Sequence, residues 1–404
     1  MRFPTLALLL FALPLAASDW PQFLGPDRDG KSAETNLLHE WPADGPELLW
    51  EVTGLGKGYS SLAIADGKIY TQGQMIADRS FPLHYLIALD AESGEKLWQR
   101  SNHKPYRDDY DLGDGPRGTP TVDGDRVYAL SASGRLICAD AQSGEEIWNV
   151  DLFGRFDGRQ LVWGLSESPL IDGDRVIVHA SGSKGGLVAL DKNTGETVWV
   201  SEPGKAGYSS AVIVEVDGVR QYVTLDAVGG LGVRAEDGEV LWRYDRVSND
   251  TANIATPLIR DQHVFLSTAY GTGAALLKLT ASGAEEIYFT RDMKNHYTTS
   301  ILLGDHVYGY NNGILTCMEF MTGEVVWRDR SVGKGQMIYA DGLLFLLGED
   351  GVVGMAEATP EGYNELGRFT LPELAQKSWA LPVIADGRLY LRDQDVLRCY
   401  RIGS

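Results

Sequence analysis

The sequence predicts an all-β protein: an eight-bladed β-propeller of four-stranded antiparallel blades, with the ring closed by an N-terminal strand that completes the last blade. Three observations carry that expectation. One line recurs in blurred copies: LIALDAESGEKLW ending at Trp98, LICADAQSGEEIW at Trp148 and LVALDKNTGETVW at Trp199, with looser copies ending at Trp242 and Trp327. A second line, an apolar run broken by Asp-Gly or a variant of it, occurs eight times, as in IADGKIY up to Tyr70. Its spacing is about 45 residues, the length of a four-stranded blade. Finally, the last unit stops one strand short, and a matching strand with its tryptophan, PELLWEV around Trp50, stands near the other end.

Each element of the unit has a local reason. The first and second strands flank the Asp-Gly pair, which supplies the positive φ of a tight hairpin. The third strand carries Ala-Leu-Asp. After it, Asp191, Asn193, Thr194 and Gly195 suit a turn in which short polar side chains bond nearby amides and glycine takes the left-handed region. The fourth strand ends near the tryptophan, read as the docking residue between blades, where a buried aromatic covers about 150–250 Å². Alternating apolar runs dominate the chain and helical periodicity is almost absent. Two copies are degenerate: the fifth ends EEIYF with Tyr288 in the tryptophan position, and the seventh ends ELGRF near Phe369.

Ahead of the ring, DWPQFLGPDRDG through Pro46 has no blade pattern. It reads as an extended arm packed on the outside, anchored by Trp20, Phe23 and Trp41. The chain opens with one arginine, an apolar run from Leu6 to Leu15 and the small residues Ala16, Ala17 and Ser18. That is the layout of a secretory signal peptide, and it is too short to span a membrane. The expected organisation is a signal peptide over 1–17, the arm over 18–47 and the propeller over 48–404. Export to the periplasm or the extracellular space follows, as a monomer without a transmembrane segment. No cysteine near the cleavage point offers a lipid anchor.

The chain has 36 basic and 56 acidic residues, a formal charge of −20. Such a surface repels phosphate backbones and anionic headgroups, so nucleic acid is excluded as a partner. Cys138, Cys317 and Cys399 fall in the slot that holds Ala88 and Ala189 in the other copies. They are therefore expected as core thiols on separate repeats, too far apart to bond. The histidines show no zinc-ligand spacing, and no nucleophile elbow, P-loop or Rossmann fingerprint is present.

The line ALDKNTGETVW resembles the signature A-x-D-x-x-T-G-x-x-x-W of the PQQ-like repeat family, named after pyrroloquinoline quinone. The resemblance covers nearly all the chain after residue 48, and WPQFLGPDRDG is similar to the opening of secreted propellers of that family. It implies eight blades but not one activity. The same repeat builds quinone-dependent alcohol dehydrogenases and non-enzymatic scaffolds such as the outer-membrane assembly lipoprotein BamB. In the dehydrogenases a calcium-bound quinone in the central funnel is met by a glutamate, an asparagine, a catalytic aspartate and adjacent cysteines. The glutamate position falls on Ala180 here, Asn253 resembles the asparagine, Asn295 and His296 stand where the aspartate is wanted, and there is no adjacent cysteine pair.

These departures favour a binding or scaffold module without a catalytic residue, a cofactor or a metal. Its expected partner is a protein, or a small polar or carbohydrate ligand in the funnel. The alternative is a PQQ- and calcium-dependent dehydrogenase of alcohols or sugars. Propeller ligands sit where the first strands begin, so the loops there supply the candidates. WGLSESP gives Trp163 and Glu167, RYDRVSNDTAN gives Arg246 and Asn253, and RDMKNHY gives Lys294, Asn295 and His296 beside Tyr297. GYSS occurs twice, at Tyr59 and Tyr208. The longest such loop holds His103, Lys104, Arg107 and the loose acidic set Asp108, Asp109, Asp111 and Asp114.

Overall fold

The computed structural model describes residues 19–77, 81–102, 115–372, 374 and 376–404. Their strands form eight four-stranded antiparallel sheets, each ordered as in the sequence except the last. Blade 3 shows the plan: Leu170–Asp172, Arg175–Gly182, Gly185–Asp191 and Thr197–Val200 follow one another outward. At several Asp-Gly hairpins, among them Asp66–Gly67 and Asp386–Gly387, both central residues have positive φ, the signature of a type I′ turn. The middle strands are buried almost throughout, whereas Thr197–Val200 buries only Trp199. Apolar clusters bridge adjacent blades rather than filling one central core: Trp148 and Val150 of blade 2 pack with Val176 and Val178 of blade 3. A single-turn helix, Leu152–Phe156, joins those two blades.

Closure occurs as the sequence implies. Leu48–Val52 pairs antiparallel with Val396–Arg401, so the last sheet combines the two ends of the chain. Trp50 lies opposite Cys399, as Trp148 lies opposite Cys138 and Trp327 opposite Cys317. All three cysteines are buried and free. Pairing of the end strands covers the edge that Val396–Arg401 would otherwise leave open to another chain.

The recurring line works as a joint between blades. Asp191 Oδ1 accepts from the amides of Asn193 (2.8 Å) and Thr194 (2.9 Å), while Gly195 sits at φ +70°. The ring of Trp148, from the preceding blade, lies directly on Gly195, so a Cβ there would come within 2.7 Å of the indole. Trp148 Nε1 donates to the carbonyl of Lys192 (2.9 Å) in the same turn. Trp98 and Trp199 repeat both contacts one blade back and one blade on, at Gly144 and Gly238. Glycine in this turn thus answers two demands, a left-handed backbone and the close approach of an aromatic ring. Tyr288 fills the tryptophan position of blade 5, lying on Gly323 with its hydroxyl donating to Phe320 O (2.9 Å).

Two expectations are corrected. The tryptophan position of blade 7 is Gly367, which pairs with Met355 at the same register step, rather than the neighbourhood of Phe369. Trp41 from the arm fills the gap: a Cβ on Gly367 would meet its ring at 3.0 Å, and Trp41 stacks edge-on to Phe369. The arm as a whole is not packed outside the ring. The first strands of neighbouring blades touch one another and line the axis, and residues 20–32 bond to them in turn. Trp20 exchanges two backbone hydrogen bonds with Ile64, and Pro21 O accepts from Val122 N. Arg28 donates to Ser168 O, Pro169 O and Ala211 O, all at 2.8–2.9 Å. Gly30 and Ser32 bond Tyr339, and Ser32 Oγ reaches Ile384 O. Residues 20–32 thereby run across the axis, bonded to the first strands on several sides. Burying Trp20 and Leu24 there, each 1 % exposed, supplies apolar contact.

Candidate functional site

At the end of the ring where the first strands begin, the axis opens into a cavity of about 150 Å³, with Phe23 of the arm contributing to its lining. Its wall is written by two positions of the repeat. Two residues before the first strand stand Ser61, Thr119, Ser168, Ser210 and Thr299, joined by Gln336 and Leu381 from the last two blades. Two residues earlier stand Tyr59, Arg117, Ser166, Tyr208, Ile254, Tyr297 and Trp379. A hydroxyl tier therefore underlies an aromatic one, because period-two alternation turns every second residue of the incoming chain to the axis.

The hydroxyls tie blade to blade. Ser168 Oγ accepts from Thr119 N (2.9 Å), Ser210 Oγ from Ser168 N (2.9 Å) and Thr299 Oγ1 from Thr256 N (3.1 Å). The upper tier is a collar of stacked rings. Centroids are 4.8 Å apart for Tyr59–Trp379, 5.5 Å for Trp379–Tyr297, 5.3 Å for Tyr297–His296 and 5.0 Å for His296–Tyr270. Across the mouth Trp163 packs on Tyr208 at 5.7 Å. Arg117 lies over Tyr59 at 5.2 Å and bonds Trp163 O, joining the two arcs. Glu349 fixes the collar from behind, accepting from Tyr297 Oη and Trp379 Nε1, both at 3.2 Å. Tyr270 holds its place with φ +53°, a conformation a tyrosine adopts only under constraint.

Of the seven residues singled out in the sequence, the structure brings Trp163 and His296 to the cavity. His296 is neutral: burial, reinforced by Lys334, lowers its pKa to about 4. The other five face elsewhere. Glu167 lies between Ser166 and Ser168 and by strand parity turns away from the axis, accepting from His179 N at 2.5 Å. Burial raises its pKa to about 8 against that bond and the Arg28 charge. Asn253, 1 % exposed, accepts from Asn249 and Thr268 and donates to Asp226 O. Asn295 staples Ser267, Ser300 and Tyr310. Arg246 pairs with Glu286 over the Phe289 ring, and Lys294 bonds Asn311. The acidic loop from His103 to Asp114 lies outside the described residues. Arg117, Tyr270, Gln336 and Trp379 escaped the sequence reading, and Phe23 was read as an anchor of the arm rather than as part of the site. Aligning the residues before every Asp-Gly hairpin would have found Arg117, Gln336 and Trp379; nothing local marks Phe23.

A calcium-bound quinone does not fit this wall. Calcium takes six to eight oxygen ligands, carboxylates among them, and among the described residues no Asp or Glu lines the cavity. Among the described residues no cluster of three His, Cys, Asp or Glu side chains could hold a metal ion.

Comparison with known proteins agrees with the repeat. A family model described as outer membrane protein assembly factor BamB matches residues 84–329, more than half of the chain. The BamB of Shewanella oneidensis is 25% identical over 365 residues, covering 86% of this chain and 76% of that protein. Among solved structures, BamB from Moraxella catarrhalis superposes with a TM-score of 0.62 at 18% identity, covering 88% of this chain and 97% of that one. The quinohemoprotein alcohol dehydrogenase of Comamonas testosteroni superposes with a TM-score of 0.68 at 14% identity, covering 96% and 81%, a likeness of fold alone. The repeat, the ring and the match to the family model together make this chain a member of the PQQ-like β-propeller family of the outer membrane protein assembly factor BamB.

Proposed function

We propose that the protein is an exported, non-enzymatic binding and scaffold propeller of the periplasm, and that the funnel mouth is its binding end. The observation that carries this reading is the composition of the funnel: aromatic rings over hydroxyls, with a neutral imidazole and, among the described residues, no carboxylate in the lining. Oxidation of a hydroxyl needs a base poised to take its proton, and His296, held neutral with Nε2 bound to Tyr270 at 2.6 Å, has no carboxylate to orient it. The arm beneath makes the channel blind, which suits retention of a ligand or docking of a partner group rather than passage. Kinship with BamB proteins supports the scaffold role.

The test compares what immobilised wild type and a Tyr59→Ala/Trp379→Ala variant retain from periplasmic extract. Loss of specifically retained partners from the variant, at unchanged folding by circular dichroism, is the expected result. Steady turnover of an alcohol or sugar with added quinone and calcium would overturn the reading.

A further inference from the structure

The polar groups of the funnel show an imbalance that the fold does not use. Thr119 is 1 % exposed, and its Oγ1 has no hydrogen-bond partner. Ser168, Ser210 and Thr299 each accept one backbone N–H and donate to nothing among the described residues, which leaves three O–H hydrogens at the cavity. Gln336 spends its Nε2 on the carbonyls of Tyr297 (3.3 Å) and Trp379 (2.9 Å), so Oε1 is an acceptor without a protein donor. His296 Nδ1 is likewise buried and unpartnered. Leaving such groups dry is unfavourable, and hydroxyl donors and amide or imidazole acceptors stand within one cavity.

This pattern selects among ligand chemistries. A cation finds no carboxylate in the wall among the described residues. An anion would satisfy the donors but would face Gln336 Oε1 and the Glu349 carboxylate behind Tyr297 and Trp379. A neutral polyol satisfies both kinds, since every hydroxyl donates and accepts. The stacked collar adds flat apolar faces, and the C–H face of a pyranose ring is the polyol surface that covers such faces. The volume, about 150 Å³, suits one ring rather than a chain.

We propose that the funnel binds one terminal pyranose unit of a neutral carbohydrate, its ring against the aromatic collar and its hydroxyls on the Thr119–Ser168–Ser210–Thr299 tier and Gln336. This rests on the reading of the funnel mouth as the binding end.

Titration calorimetry and tryptophan fluorescence of the full-length mature protein test it, with methyl glucopyranoside, methyl galactopyranoside and methyl mannopyranoside as neutral probes. Glucuronate and choline serve as the charged ones. At least one neutral glycoside should bind with a Kd in the micromolar to millimolar range. Thr119→Val removes an unpartnered hydroxyl at equal volume, so folding and Tm should hold while affinity falls about ten-fold, the worth of one hydrogen bond. Trp379→Ala should abolish binding. No binding by any neutral glycoside, tighter binding of glucuronate or choline, or unchanged affinity in Thr119→Val overturns the proposal. Partner retention that is still lost in the collar variant would then leave the binding-module reading standing; its persistence would remove that reading separately.

Discussion

Glu167, His179 and His296 make the stability of this protein a function of pH with a definite shape. Glu167 carries a pKa raised to about 8, so the native state holds a proton that the unfolded chain releases near 4.5. Its contribution is complete below the unfolded value and lost as pH rises through 8. His179 and His296, both lowered by burial to about 4, work in the opposite sense: stability falls as pH drops from 6.5 through 4. Urea denaturation across pH should therefore show stability rising from pH 4 to about 6.5 and falling from there to 8. Glu167→Gln should flatten the fall above 6.5 and steepen the rise between about 4.5 and 6.5, where the proton on Glu167 opposes the histidines. Glu167 also shows how the site was partly misread from the chain. A carboxylate in the loop before a first strand has the chemistry of a ligand, but parity decides its direction, and Ser166 and Ser168 take the axial side. His296 needed no such step, because Tyr297 beside it in the sequence already marked the rim.

The unit that holds the ring is the joint between a tryptophan and the following blade's turn. Trp148→Ala should lower stability by about 3–5 kcal/mol, read from chemical denaturation at unchanged m-value. Gly195→Ala should cost at least about 1 kcal/mol, since it adds a strained φ and a clash with Trp148. Trp41→Ala belongs with these rather than with surface changes. It lies in an arm without blade pattern, yet it fills the place vacated at Gly367 and should cost about as much as Trp148→Ala. The repeated turn could be read from the chain because Asp, Thr and Gly each have a local reason to be there. The substitution by Trp41 could not, since it joins residues more than 300 positions apart and no local pattern couples them.

For the whole molecule, closure is the governing event. Removing residues 19–52 takes away the strand Leu48–Val52 and the channel plug together, leaving Val396–Arg401 as an open edge. Such an edge pairs with other chains, so size-exclusion chromatography with light scattering should show association, where a monomeric truncated chain would contradict the closure. Strand order, hairpin turns, the cysteine slots and the meeting of the two ends follow from the amino-acid pattern, because each rests on periodicity and turn chemistry acting over a few residues. The course of the arm through the axis and the assembly of one funnel from eight separate loops are of another kind. They depend on which side chains converge after the ring has closed, and only the three-dimensional arrangement of the blades sets that.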